Sequence, residues 1–247
     1  MRLESSNFNL VLSGGAALGY AHIGVCEFLD EYSLTPKNYY GVSMGAIVAS
    51  IEALALTLKE KKQIYKDIRN IFKWLSFNLS GSLISFRKIE KIVDAIFGSL
   101  RFSDLERALY IGATDYKNGE YVTFSKDNNT LIKEALLASM AVPALFSPKE
   151  IEKRVYVDGY ISSNLPLSSI KNDYVNLIVN VTGKNSFKKL SRSKLLKLSL
   201  FRNLERSIRI LMYNQTKMAL EQFSKEYILL EPKLSSYKTT HFYKFLK

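Results

Sequence analysis

Histidine and cysteine are almost missing from this sequence. Among 247 residues there are two histidines, His22 and His241, and one cysteine, Cys26. A lone cysteine excludes an intramolecular disulfide framework and any cysteine-rich zinc or iron–sulfur site, and it fits a reducing compartment. Long apolar runs are also missing. The richest, Met44 to Leu58, spans 15 residues and is interrupted by Glu52, whereas a membrane-spanning helix needs roughly 20. Residues 1–9 lack the basic-then-apolar layout of a signal peptide. With 12 Gly and 5 Pro, the composition excludes collagen-like and low-complexity chains. The expectation is a cytoplasmic protein that touches a membrane, if at all, from one side.

Acidic residues are scarce in one place. Against 35 Lys and Arg stand 23 Asp and Glu, a net charge of +12. Between Lys184 and Arg209 there are nine basic residues (Lys184, Lys188, Lys189, Arg192, Lys194, Lys197, Arg202, Arg206, Arg209) and one acid, Glu205, so +8 of the +12 sits there. Leucine, phenylalanine and isoleucine interleave with these cations. Such a stretch attracts anionic surfaces. It reads either as a helix lying on an anionic membrane or as a core-facing helix whose polar side is basic. No dedicated nucleic-acid motif accompanies it, and no nucleic-acid partner is expected.

The chain is long enough to bury a sizeable core without staples, and it shows no internal repeat and no persuasive domain boundary. Phe8–Leu12 and residues 39–42 read as short apolar strands, each followed by a small-residue turn and a helix (21–32 and 44–58). That alternation predicts a mostly parallel sheet covered by helices. Further helices are expected over 59–75, 86–97, 130–141 and 191–223. Further strands are expected over 109–114, 121–124, 155–157, 175–181 and 227–230. Ser76 to Ser85 is turn-rich and mobile by composition, and residues 235–247 form a polar-aromatic tail.

Two turns carry chemical interest. Gly41-Val42-Ser43-Met44-Gly45 matches G-x-S-x-G, in which a strand turns sharply into a helix and leaves a serine hydroxyl exposed. The alternative is a glycine-flanked serine at an ordinary tight turn. Ser13-Gly14-Gly15-Ala16-Ala17-Leu18-Gly19 fits a dinucleotide fingerprint badly, because Ala16 stands at the middle glycine. A phosphate loop fails too, because Tyr20-Ala21 follows Gly19. It reads either as an oxyanion hole formed by the N–H groups of Gly14, Gly15 and Ala16, or as a plain helix-start loop. Neither histidine is a comfortable general base: His22 falls early in a helix and His241 in the tail. A carboxylate can serve instead if it reaches the serine hydroxyl. Asp158, at a strand end before Gly159, is the candidate; an Asp-Gly turn is the plainer reading.

In order and in kind, these segments resemble the patatin-like phospholipases. The glycine turn is followed by Ala21-His22-Ile23-Gly24-Val25, then by the Gly41–Gly45 motif. After it come residues 138–146 (ASMAVPALF), and finally Asp158-Gly159 with Asn164-Leu165-Pro166. The resemblance covers about residues 8–182. Three positions depart from it: Ala16 replaces a third glycine, Leu18 a usual Arg or Lys, and Tyr160 a usual Gly or Ala.

The resemblance implies a three-layer α/β/α fold with a central mostly parallel sheet and helices on both faces. It implies one domain over 1–247, with a motif-bearing core at about 8–182 and a basic helical part at 184–247. It implies a Ser–Asp dyad without histidine, with Ser43 as nucleophile and Asp158 as general base. Gly14, Gly15 and Ala16 would be the oxyanion donors and Gly19, Gly41, Gly45 and Gly159 the motif glycines. No metal or cofactor is implied. The substrate would be a phospholipid or lysophospholipid, cleaved at an acyl ester through an acyl-enzyme. Leu18 and Tyr160 motivate an alternative, a membrane-associated lipid-binding protein whose catalysis is weak or lost.

Overall fold

A computed structural model of the chain describes residues 7–77, 87–128, 130–143, 145–187, 190, 191, 193 and 200–237. Its centre is an eight-stranded sheet in the order β5-β6-β3-β2-β1-β7-β8, with β4 also on β3. The strands are β1 (Phe8–Leu12), β2 (Asn38–Val42), β3 (Ala108–Asp115), β4 (Tyr121–Phe124), β5 (Lys149–Ile151), β6 (Arg154–Asp158), β7 (Val175–Val179) and β8 (Tyr227–Leu230). From β3 through β8 the neighbours run parallel; β4, β6 and β5 pair antiparallel.

The apolar runs of β1, β2 and β7 are explained by burial on both faces. Side chains alternate along a strand, and two cores result. Leu10, Leu12, Tyr39, Leu177 and Val179 point into the larger one, and Val11, Tyr40 and Ile178 into the smaller. Helices α1 (Ala21–Glu31), α2 (Met44–Ala53), α3 (Leu58–Phe77), α4 (Arg87–Phe97) and α5 (Ile132–Ser139) contribute to the larger core. Helix α6 (Leu200–Gln222) covers the smaller one with Ala219 and Leu220. The result is a three-layer α/β/α arrangement.

Strand β3 sets the site. Ile111 and Gly112 pair with β2 on one edge and β4 on the other; Ala113 and Thr114 pair with β4 and β6. Strands β2 and β6 therefore share one edge of β3. Val42 ends β2 opposite Gly112, and Asp158 ends β6 opposite Ala113. Two strands arriving from opposite directions meet end to end, and the residues that finish them are brought together.

Several boundaries differ from the sequence reading. Helix α2 stops at Ala53 rather than Leu58, because Ala55 turns to φ 54° and Thr57 opens α3. Thr57 and Glu60 form a reciprocal cap: the Thr57 N–H donates to Glu60 Oε2 at 2.9 Å and the Glu60 N–H to Thr57 Oγ1 at 3.4 Å. Strand β5, not expected from sequence, pairs with β6 across Glu152 and Lys153, both at positive φ. That turn type favours Asn and Gly, so these two residues gave no turn signal. The expected mobile segment reaches the described residues only at Ser76 and Phe77, which close α3. Residues 78–86, the tail beyond 237 and the basic residues Lys188, Lys189, Arg192, Lys194 and Lys197 lie outside the described residues.

At the end of the sheet away from that junction, asparagines tie three strands together. Asn38 Nδ2 donates to Asn9 Oδ1 at 2.7 Å, and Asn9 Nδ2 to Asn176 Oδ1 at 2.8 Å. Buried polar groups are tolerated where they satisfy one another. On the helical layer, Lys61 is buried between Glu52 and Asp30, with Nζ 2.5 Å and 2.9 Å from their carboxylates; Tyr65 Oη also donates to Glu52.

Candidate active site

Ser43 sits where β2 gives way to α2, at φ 55° and ψ −123°. A side-chain-bearing residue reaches this backbone region only under constraint. The constraint is local. A Cβ on Gly45 would stand 2.5 Å from the carbonyl oxygens of Leu12 and Ser13, so helix α2 packs backbone to backbone against the end of β1. A Cβ on Gly41 would meet the Ala46 backbone as closely. The Ser43 N–H donates to Ser139 Oγ at 2.8 Å, and its carbonyl accepts the Ala46 and Ile47 N–H groups that begin α2.

The Ser43 hydroxyl donates to Asp158 Oδ2 at 2.6 Å. Asp158 is held from every side. Its N–H donates to the Ala141 carbonyl at 3.0 Å, and its carbonyl accepts from Thr114 Oγ1 at 2.9 Å. Its second carboxylate oxygen accepts the Tyr160 N–H at 3.0 Å. Gly159 lies against the Gly112 backbone. Asp158 is wholly buried and Ser43 is 7% exposed. Burial pushes the Asp158 carboxyl up to about 7, against the hydrogen bonds from Ser43 and Tyr160, which favour the ionised form.

The glycine turn lies beside them. A Cβ on Gly14 would be 3.0 Å from Asn164 Oδ1, 3.4 Å from Ser43 Cβ and 3.5 Å from Tyr160 Cβ. The turn is anchored by Ser13, whose N–H donates to Val179 and whose Oγ accepts the Val181 N–H. The Gly14 N–H is already engaged, donating to the Asn164 carbonyl at 3.2 Å. Those of Gly15 and Ala16 have no partner among the described residues. Gly19 leaves room for the Met44 side chain. Leu18 is fully buried in the larger core, which accounts for an apolar residue there.

His22 is also fully buried, with Nε2 2.9 Å from the Ser13 carbonyl. Burial pushes it down to about 4, so the neutral ring braces the turn. His241 lies outside the described residues. Among the described residues no three His, Cys, Asp or Glu side chains are grouped to hold a metal ion, and no helix is long and apolar enough to cross a membrane.

The structure thus joins Ser43 to Asp158 and sets Gly14 beside Ser43, with Gly15 and Ala16 next in the same turn. A carboxylate at this distance can take the proton of an attacking hydroxyl, and free N–H groups can receive an oxyanion. Sequence reasoning missed Ser139, Thr114 and Asn164, which hold the backbone of Ser43, Asp158 and Gly14. For Ser139 the signal was a polar residue inside an apolar run, Leu136-Leu137-Ala138-Ser139-Met140, whereas Asn164 entered only as part of Asn164-Leu165-Pro166, with no role attached.

The family profile of the patatin-like phospholipases matches residues 10–170. The chain belongs to that family. An uncharacterized NTE family protein of Mycobacterium tuberculosis is 33% identical over 184 residues, covering 72% of this chain and 49% of its own length. A triacylglycerol lipase of Schizosaccharomyces pombe is 24% identical over 209 residues, 67% of this chain and 42% of the lipase. This patatin-like chain spans about half the length of such relatives. Among solved structures, VipD from Legionella pneumophila aligns with a TM-score of 0.49 at 17% identity, over 78% of this chain and 52% of VipD.

Proposed function

We propose that this chain hydrolyses acyl esters of lipids, in the manner of a phospholipase A or lysophospholipase, with Ser43 as nucleophile and Asp158 as its base. The observation that carries the reading is the 2.6 Å hydrogen bond between the two, made at a strained strand-to-helix turn. In the first half, Ser43 Oγ bonds to the ester carbonyl carbon as its proton passes to the Asp158 carboxylate. The carbonyl oxygen becomes an oxyanion, received by the N–H groups of Gly15 and Ala16; Gly14, whose own N–H is taken, admits the close approach of the turn. Collapse breaks the ester C–O bond, and the departing alkoxide takes the proton from Asp158. In the second half, water gives its proton to Asp158 and adds to the acyl-enzyme. Collapse releases the fatty acid and returns the proton to Ser43.

Membership of a lipase-containing family and the likeness to a triacylglycerol lipase support a lipid ester as substrate. The test is fatty-acid release, followed by mass spectrometry, from phosphatidylcholine, lysophosphatidylcholine and triacylglycerol in separate reactions, with wild type and Ser43→Ala. Release from a phospholipid substrate by wild type alone is expected. Release from triacylglycerol only would overturn the phospholipase assignment, and equal release by both proteins would overturn the dyad.

A further inference from the structure

Tyr160 stands two residues past Asp158, on the single 3-10 turn Gly159–Ile161 that follows β6. Its N–H donates to Asp158 Oδ1 at 3.0 Å, so the carboxylate itself fixes where the residue sits. Its side chain starts beside the nucleophile. Tyr160 Cβ and Ser43 Cβ lie 3.5 Å and 3.4 Å from the one point that a Cβ on Gly14 would occupy. Glycine at position 14 leaves the gap between them open.

The phenol is unspent. Tyr160 is half-buried, and its hydroxyl has no hydrogen-bond partner among the described residues. Hydroxyls of tyrosines withdrawn from water ordinarily find one. Burial, and after it the charge of Asp158, push the phenol well above its ordinary value. It therefore keeps its proton and is available as a donor rather than as a base.

The acyl-transfer chemistry leaves one oxygen short of a donor. The carbonyl oxygen has the N–H groups of Gly15 and Ala16. The ester oxygen that departs has only the proton that Asp158 returns to it, and it must lie on the Asp158 side of Ser43 to receive that proton. Tyr160 is on this side: its N–H binds Asp158 and its phenol feels the Asp158 charge. We propose that the Tyr160 hydroxyl donates a hydrogen bond to the leaving oxygen of the ester and steadies the charge that builds there as the C–O bond breaks. The proton that ends on the alcohol is still the one taken from Ser43 by Asp158; Tyr160 keeps its own. The proposal rests on the hydrolase reading and adds a substrate preference to it. A donor at this oxygen matters for alkyl esters such as those of glycerol, whose alkoxides are strongly basic, and little for activated aryl esters.

The full chain, Tyr160→Phe and Ser43→Ala are assayed on two soluble esters of one acyl group, glycerol monobutyrate and nitrophenyl butyrate. The quantity compared is kcat/KM, which reports the steps up to departure of the alcohol. Tyr160→Phe should lose about 10- to 100-fold on the glycerol ester, as for a hydrogen bond to a charged oxygen. Its loss on the nitrophenyl ester should be about tenfold smaller or less still. The ratio between the two esters does not depend on the fraction of enzyme that is folded, so partial misfolding leaves the comparison intact; Tyr160→Met is the second variant should Tyr160→Phe fail to fold. An equal loss on both esters puts the phenol on the oxyanion or in the packing, and no loss on either leaves it idle; both results overturn the assignment. Wild type that cleaves the nitrophenyl ester alone overturns it too, since a basic alkoxide is what the donor serves. Absence of Ser43-dependent turnover of either ester by wild type overturns the hydrolase reading, and the Tyr160 assignment falls with it.

Discussion

Ser43 Oγ and Asp158 Oδ2 are 2.6 Å apart because β2 and β6 share an edge of β3, pairing opposite Gly112 and Ala113. The separation of 115 positions along the chain plays no part in setting the distance. One strand does, and it does so through consecutive residues, so the relative position of the two side chains is fixed by backbone hydrogen bonds rather than by loop geometry.

The buried Asp158 carboxyl at about 7 would give the proposed reaction a pH dependence. Only the ionised form accepts the Ser43 proton, so kcat/KM on a soluble ester should climb with unit slope below pH 7 and level off above it. Histidine is the usual source of a limb there, but His22 is pushed down to about 4. The limb is expected to persist in His241→Ala; its loss in that variant would reassign the base.

The same burial has a stability consequence. A carboxyl raised in the folded state is protonated there while the unfolded chain has already lost its proton. Its stabilising contribution is complete below the unfolded value of 3.8 and is lost as pH rises through about 7. At ~1.4 kcal/mol per pH unit, the loss is on the order of 4 kcal/mol. Asp158→Asn keeps the shape without the charge. Thermal melts should show it more stable than wild type at pH 8, with the gap closing toward pH 4, while its ester turnover falls about 10²–10⁴-fold.

Ser139→Ala removes the acceptor of the Ser43 N–H. A buried donor left alone costs about 1–3 kcal/mol. The strained turn should relax, so kcat is expected to fall more than KM rises, whereas a purely structural serine would lower the melting temperature and leave kcat intact.

Lys61 tests the helical layer independently of the site. Lys61→Ala leaves Glu52 buried with Tyr65 as its one side-chain donor among the described residues, a loss of about 3–5 kcal/mol. Denaturant unfolding should report it. Esterase activity well below the melting temperature should stay near wild type, since α1, α2 and α3 meet there away from Ser43.

Much of this was legible in the chain because it is written locally. Phe8–Leu12 and Val175–Val179 read as doubly buried strands because every residue in them is apolar or a paired asparagine. Gly41 and Gly45 mark the serine turn because backbone packs on backbone there. The β5–β6 hairpin was not legible, since Glu152 and Lys153 lack turn chemistry. Nor was the engagement of the Gly14 N–H, because its partner, Asn164, is 150 residues away. The sharing of one β3 edge by two strands leaves no local trace, so sequence could nominate Asp158 but not bring it to Ser43.

The most direct measurement is labelling by a fluorophosphonate, with the modified residue located by peptide mass spectrometry. Wild type should be labelled at Ser43, faster at pH 8 than at pH 6, with labelling absent in Ser43→Ala and strongly slowed in Asp158→Asn. Labelling that proceeds at the same rate in Asp158→Asn, or that falls on another serine, would contradict the account.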